Sequence, residues 1–419
     1  MDRVLLFGAR FVRLFAYGLL SVVLVLYLAA LGLSEERIGL LLSLTLLGDT
    51  VVSLFLTTSA DRLGRRRTLC IGAALMIVAA LAFASTRSFP LLLAAAIVGV
   101  LSPSGGEIGP FLSVEQAALA GIVRADRRTT VFAWYNLTGS VATALGALTG
   151  GILCRSASGP GLADAALFRP AVLAYGALGL VMGALFVALS PAVELAPSAR
   201  AGSAATLPTA RDELRLGLGP SRRVVLGLSA LFSVDAFAGG LVLQSLLAYW
   251  LHLRFGLDPD ALGRVFFGAN LLAGASALTA GWLARRYGLL NTMVFTHLPS
   301  NVLLMLVPLM PNAAAAIAVL LARFSISQMD VPTRQAYLMA VVTPAERSAA
   351  AGVTTVARSL GAVLSPALAG KMLASSALQS LPFFVAGALK IVYDLALWRG
   401  FRAVGAEGER TIEPERGSS

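Results

Sequence analysis

The sequence predicts an all-α integral membrane protein whose twelve spans form two similar six-helix bundles. Three observations carry this expectation. The mean hydropathy is +0.81, with 57% apolar and only 13% charged residues among 419, and apolar runs near the length needed to cross a bilayer recur along the whole chain. The net charge of +11 is unevenly shared between alternate loops, which is the signature of membrane orientation. The first and second halves also repeat one another, as set out below.

The spans are expected at about 11–32, 35–57, 67–86, 90–123, 130–154, 167–190, 223–251, 259–284, 291–310, 313–342, 348–374 and 381–400, each closed by a polar or Pro/Gly-rich break. Arg3, Arg10 and Arg13 precede an apolar run from Leu14 to Leu31 that is too long for a cleaved signal core, so it reads as a retained first span. The fourth and tenth are long, with room to tilt or to bend at Pro110 and Pro332. One set of loops holds Arg62, Arg65, Arg66, Arg67, Arg124, Arg127, Arg128, Arg200, Arg211, Arg215, Arg222, Arg223, Arg285, Arg286 and Arg347. The opposite set holds only Arg37, Arg87, Arg155, Arg169 and Arg254. This bias puts both termini in the cytoplasm and explains the positive charge without nucleic acid.

Residues 191–222, rich in Pro, Ser, Ala and Arg, read as a cytoplasmic linker between a bundle over 1–190 and a second over 223–403. Residues 404–419 read as a disordered tail. Cys70 and Cys154 lie in different apolar segments without CxxC spacing, so neither a disulfide framework nor a metal site is implied. No GxxxxGK[ST] loop, nucleophile–base set or cofactor signature occurs. The expectation is a protein that is not an enzyme and carries no cofactor.

The repeat is legible in several places. Gly32-Leu33-Ser34 before the second span matches Gly256-Leu257-Asp258 before the eighth: a turn glycine, then a capping side chain, then a new helix. The basic knot Asp61-Arg62-Leu63-Gly64-Arg65-Arg66-Arg67 recurs in weaker form at Gly281 to Gly288. Gly146 to Gly151 aligns with Ser365 to Gly370, and Glu115-Gln116-Ala117 aligns with Arg334-Gln335-Ala336. Two structural repeats are the architecture of secondary transporters.

With these residues in view, the chain resembles the major facilitator superfamily over its whole length, in its bacterial twelve-helix form. The family's loop signature, G-x-L-x-D-R-x-G-R-[RK], is met at Asp61, Arg62, Gly64, Arg65 and Arg66, with Thr57 in place of the first glycine. A second family signature, G-P-x-x-G-G in the fifth helix of many proton-coupled exporters, keeps its glycines here as Gly146, Gly150 and Gly151 but not its proline. Those glycines equally suit a plain small-residue helix interface.

The resemblance implies that the Asp61 loop holds the cytoplasmic side shut. Asp126 is the expected partner of Arg62 or Arg65, and Glu346 that of Arg285 or Arg286. The alternative for the loop is a purely topogenic role. It also implies that the first, fourth, seventh and tenth spans line the central cavity. On those spans lie Glu107, Glu115, Asp235, Arg323, Asp330 and Arg334, with Arg358 in the eleventh. Charges inside hydrocarbon cost at least ~2.5–3.5 kcal/mol each, so they are expected to face protein or water.

Glu107, Asp235 and Asp330 are candidates to carry a coupled proton. Glu115 and Arg334, equivalent in the two repeats but opposite in charge, read as a gate or a static pair. Asp330 and Arg334 are spaced to pair along one helix, as are Lys390 and Asp394. His297 and Asn301 share a helix face and read as hydrogen-bonded packing. Gly105 to Pro110 reads as a hinge or a substrate-contacting break around Glu107, or as helix packing.

The expected function is proton-coupled efflux of a small organic solute by alternating access, as a monomer in the inner (plasma) membrane. Uptake or exchange of an organic anion is the second reading, and a non-transporting membrane sensor the third.

Overall fold

The computed structural model describes residues 1–107, 111–124, 127–155, 164–194, 218–343 and 346–410, with backbone alone at 61–62, 128–130 and 403–410. Among these, helix is the only extended regular structure. Eight apolar segments are long enough to cross a bilayer, and three further apolar helices are shorter, Phe89–Val98, Phe111–Ile122 and Ala313–Phe324. The shorter ones are pieces of broken spans, and the fold is the twelve-span arrangement that the sequence predicts.

The helices are α1 (Asp2–Ala30), α2 (Glu35–Leu63), α3 (Arg65–Ser85), α4 (Phe89–Val98), α5 (Phe111–Ile122), α6 (Arg128–Leu153), α7 (Arg169–Val187), α8 (Arg222–Leu241), α9 (Gln244–Phe255), α10 (Pro259–Tyr287), α11 (Leu289–Leu306), α12 (Ala313–Phe324), α13 (Asp330–Val341), α14 (Arg347–Val363), α15 (Ser365–Leu373) and α16 (Leu381–Arg410). The fourth span is thus α4 plus α5, the seventh α8 plus α9, the tenth α12 plus α13, and the eleventh α14 plus α15. Two limits differ from expectation. α1 begins at Asp2 rather than near residue 11, so Arg10 joins Arg13 inside the first helix. α16 is helical to Arg410, well into the stretch expected to be disordered.

The breaks have local causes. In the fourth span the helix stops at Gly99 and the chain runs irregularly to Glu107. Gly105 takes φ +70°, a left-handed conformation that suits glycine. The backbone groups so freed are satisfied inside the protein, as they must be in a membrane: Tyr175 OH donates to Val100 O at 2.6 Å, and the Ser245 N–H to Pro103 O at 3.1 Å. Pro110 lies outside the described residues. In the tenth span Pro332 is not a bend. It sits in the first turn of α13, where a missing N–H costs little, and the break falls just before it, between Phe324 and Asp330.

The repeat is structural. Gly64 (φ +96°) separates α2 from α3 and Gly288 (φ +83°) separates α10 from α11, each donating its N–H to the residue four back. Ser34 caps α2 by accepting from the Arg37 N–H, and Asp258 caps α10 by accepting from the Ala261 N–H.

The chain divides into two compact units. The first comprises Met1–Thr206, Val242–Leu271 and Pro366–Gln379; the second comprises Leu207–Leu241, Leu272–Ser365 and Ser380–Ser419. In the first unit α1 is the central rod, buried without interruption from Ala16 to Leu28, as expected of a helix apolar on every side. α6 lies so close to it that a Cβ on Gly146 would collide with Phe15 O, and one on Gly150 would stand 2.5 Å from Leu19 O. Gly151 of the same helix approaches α10, where a Cβ would be 2.5 Å from Pro259 O. The glycines of the partial exporter signature therefore serve helix packing. Tyr17 stacks on Tyr175 of α7 at 6.5 Å. In the second unit Ser233 Oγ of α8 donates to Ala357 O of α14 at 2.7 Å, and Phe232 packs on Tyr393 of α16 at 6.4 Å.

Candidate functional site

Each unit buries one cluster of opposite charges. In the first, α1 carries the cations. Arg13 is fully buried, and its guanidinium forks across two carboxylates. Nη2 reaches Glu115 Oε2 at 2.8 Å and Glu107 Oε1 at 3.2 Å, Nε reaches Glu107 Oε2 at 3.3 Å, and Nη1 also binds Glu115. Arg10, one turn earlier, binds Glu107 through Nη1 and Asn136 Oδ1 at 3.3 Å through Nη2. The Tyr135 hydroxyl donates to Glu115. Two rings complete the lining: Arg10 stands 4.3 Å from the centroid of Tyr135, and Arg13 4.9 Å from that of Phe111. Both contacts fit cation–π attraction. Two guanidiniums therefore meet two carboxylates, and the planar fork of arginine makes the bidentate geometry possible.

In the second unit the polarity is reversed. Asp235 on α8 is the hub. Lys390 Nζ lies 2.5 Å from Oδ1, and Arg358 and Arg334 lie 3.0 and 3.3 Å from Oδ2. Arg334 also binds Asp330 at 2.8 Å along α13. Beside this hub His297 Nδ1 lies 2.9 Å from Asp394 Oδ1, and Asn301 donates to Asp394 Oδ2 at 3.0 Å. His297 Nε2 faces Asp235 Oδ1 at 4.0 Å. Three permanent cations meet three aspartates. Arg358, with 31% of its side chain exposed, is the most accessible of the three.

Asp330 and Arg334 pair as their spacing predicts. Glu115 and Arg334 occupy equivalent repeat positions, and each has partners in its own unit, Arg13 for Glu115 and Asp235 with Asp330 for Arg334. Lys390 and Asp394 do not hydrogen-bond one another: Lys390 turns to Asp235, and Asp394 binds His297 and Asn301. Arg323 is half-buried over the Phe324 ring at 5.1 Å, with no hydrogen-bond partner at Nε.

At the basic loops, the side chains of Asp61 and Arg62 and the whole of Asp126 lie outside the described residues. Glu194 lies at the loop after Gly64. Its carboxylate accepts from the Arg65 and Arg66 N–H groups at 2.9 and 3.1 Å, while Arg65 Nη1 donates to Val193 O. It thereby caps the start of α3, where the helix dipole favours an anion. Glycine suits position 64, whose φ of +96° lies in the left-handed region, and a Cβ there would also stand 3.1 Å from Glu194 Oε1. Glu346 corrects an expectation. It does not pair with Arg285 or Arg286, which are exposed. Its carboxylate accepts from the Gly219 and Ser221 N–H groups and the Thr343 hydroxyl, capping the start of α8. Backbone donors fixed at a helix start cost less to order than a long mobile arginine.

The sequence reading missed Arg10, Arg13, Tyr135 and Glu194 as members of charged sites, and placed Lys390 and Asp394 in an intrahelical pair and His297 in packing rather than around Asp235. Two signals were present. Arg10 and Arg13 are three apart and so share a face with one another. Lys390 is one of only two lysines in a chain that otherwise uses arginine.

Comparison with known proteins agrees with this architecture. The family model described as Major Facilitator Superfamily matches residues 6–366. An uncharacterized membrane protein of Saccharomyces cerevisiae, YJR124C, is 32% identical over 428 residues, spanning 97% of this chain and 95% of that protein. The quinolone resistance protein NorA of Staphylococcus aureus is 36% identical over 85 residues, which is 20% of this chain and 22% of NorA. Among solved structures, a D-xylose-proton symporter superposes with a TM-score of 0.74 at 15% identity, covering 95% of this chain and 97% of the symporter.

Proposed function

We propose that this chain, which belongs to the major facilitator superfamily, is a proton-coupled secondary transporter of a small organic solute. It is a membrane transporter and not an enzyme. The observation that carries the coupling is the pair of buried, charge-balanced clusters, around Arg13 and around Asp235. Permanent charges are expensive to bury. A cluster that balances only when every member is paired is sensitive to one added proton, and such a device converts a proton gradient into a change of state.

Efflux is the first direction, supported by the local similarity to NorA. Uptake or exchange of an organic anion is the second, favoured by three cations converging on the single carboxylate Asp235. Alternating access, a monomer, a plasma-membrane location and cytoplasmic termini complete the reading, with the basic loops as the orientation signal. So does the division into a bundle over 1–190, a linker over 191–222, a bundle over 223–403 and a terminal tail.

The test is reconstitution in liposomes with an imposed pH gradient, screened against pools of labelled solutes. Gradient-dependent flux of at least one pool is expected, diminished in Asp235→Asn. Flux of a pool that ignores the gradient, with Glu107→Gln and Asp235→Asn equal to wild type, contradicts proton coupling.

A further inference from the structure

Among the described carboxylates of the two clusters, Asp394 differs from the others. Glu107, Glu115, Asp235 and Asp330 each touch a guanidinium or an ammonium group, whereas the only ion-pair partner of Asp394 is His297. Its side chain is fully buried, and Asn301 fills its second oxygen with a neutral N–H. A carboxylate accepts and does not donate, so His297 Nδ1 carries the hydrogen on that side. His297 Nε2 is then the free nitrogen, and it points at Asp235 Oδ1, 4.0 Å away. The imidazole is held between two carboxylates.

We infer that His297, seated between Asp394 and Asp235, is the residue that takes up the coupled proton, at Nε2. This deepens the proton-coupled reading above and rests on it. The accounting is simple. With neutral His297, the three aspartates balance Arg334, Arg358 and Lys390. One proton on Nε2 makes the cluster cationic by one unit, with Nδ1–H still donating to Asp394 and Nε2–H now directed at Asp235. No bond between heavy atoms changes.

The surroundings make this a switch rather than an isolated titration. Asp235 of α8 and Tyr393 and Asp394 of α16 face the imidazole, and Asp235 in turn holds Arg334 of α13 with its partner Asp330, Arg358 of α14 and Lys390 of α16. Lys390 Nζ binds the same oxygen, Asp235 Oδ1, that His297 Nε2 approaches. An imidazolium there competes with Lys390 and weakens the hold of Asp235 on its other cations. Arg358 is the most exposed of these, so it is the one released toward a solute. Proton uptake and a free guanidinium are thereby linked, which suits a solute bearing a carboxylate or phosphate.

The chain has only two histidines, His252 and His297, so the imidazole can be observed directly. The experiment is nitrogen NMR of the full-length, histidine-labelled protein in lipid across about pH 5–9, with signals assigned by His252→Gln and His297→Gln. Infrared difference spectra of carboxyl protonation are taken on the same samples. The expected result is that His297 is protonated at Nδ1 throughout and gains a proton at Nε2 as pH falls. In Asp394→Asn its protonated-to-neutral ratio at fixed pH should drop about tenfold or more, because a carboxylate in contact favours the charged ring. If Asp394→Asn does not fold, Asp235→Asn is read for the same drop. A His297 ring that stays neutral while a buried carboxyl titrates overturns this inference and leaves proton coupling standing. If neither ring nor carboxyl titrates, both fall. A His297 that titrates identically in wild type and in the aspartate variants also overturns it.

Discussion

Arg13 shows what a single side chain does here. It is buried completely and binds Glu107 and Glu115 at once. Removing one partner of a buried ion pair leaves an uncompensated charge, which costs about 3–5 kcal/mol. Arg13→Gln is therefore expected to lower stability by that order, measured as thermal unfolding in detergent. Arg13→Lys should recover little, because an ammonium group cannot fork across two carboxylates. A melting temperature equal to wild type in Arg13→Gln would show that the cluster is not held as described. Glu346 offers a test in pH. Hydrogen bonds from Ser221 and from the Gly219 N–H hold its carboxyl below the usual carboxylate range. A carboxyl lowered on folding stabilises the fold above its unfolded value and loses that contribution as pH falls through the folded one. Wild type should thus outlast Glu346→Gln near neutrality, with the difference vanishing in strong acid; a difference that grows on acidification contradicts the cap. At this scale the sequence was a partial guide. It placed Glu107, Glu115, Asp235, Asp330 and Arg334 within the membrane, because intramembrane charge stands out against apolar neighbours. It did not reveal their partners, since Arg13 and Glu115 meet through tertiary packing that no local spacing encodes.

Among the elements, close approach and interruption matter more than amphipathicity. α6 packs by glycine along two neighbours, α1 through Gly146 and Gly150 and α10 through Gly151. The facing glycine on α10 is Gly263, whose own Cβ would stand 2.9 Å from Gly151 Cα. Such small-residue contacts let backbones meet where no hydrophobic effect drives helices together. Gly151→Val is predicted to force α6 from α10, seen as loss of a cysteine cross-link engineered beside the contact. A cross-link as efficient as in the unsubstituted protein would refute the packing. The same logic explains why the sequence reading of Gly146 to Gly151 left two possibilities: a glycine-rich exporter signature and a small-residue interface ask for the same close approach. Spans of continuous apolar sequence, such as the third and sixth, were legible directly. The broken ones were legible as spans but not as breaks: Gly105 and Pro332 marked the regions, while the interruption before α13 depends on Ser325 to Met329, residues with no strong local signal.

For the whole molecule, the two halves carry the same device with its charges exchanged. The first-span helix supplies arginine to a glutamate on the fourth, and the seventh supplies aspartate to an arginine on the tenth. The repeat was visible in the sequence because the turn glycines and caps stand at matching places. Its electrostatic inversion was visible only at Glu115 and Arg334. In the Arg13 cluster each carboxylate is bound by arginine, a group that keeps its charge at any physiological pH; the Asp235 cluster contains a histidine. Under the proposed coupling, that difference points to the second. The most direct measurement is the internal pH of liposomes during downhill movement of a solute found by the pool screen, with no pH gradient imposed and the membrane potential clamped. Solute movement through the wild-type protein is predicted to shift internal pH, and Asp235→Asn is predicted to move solute without that shift. Solute crossing through the wild type at constant internal pH would contradict the account.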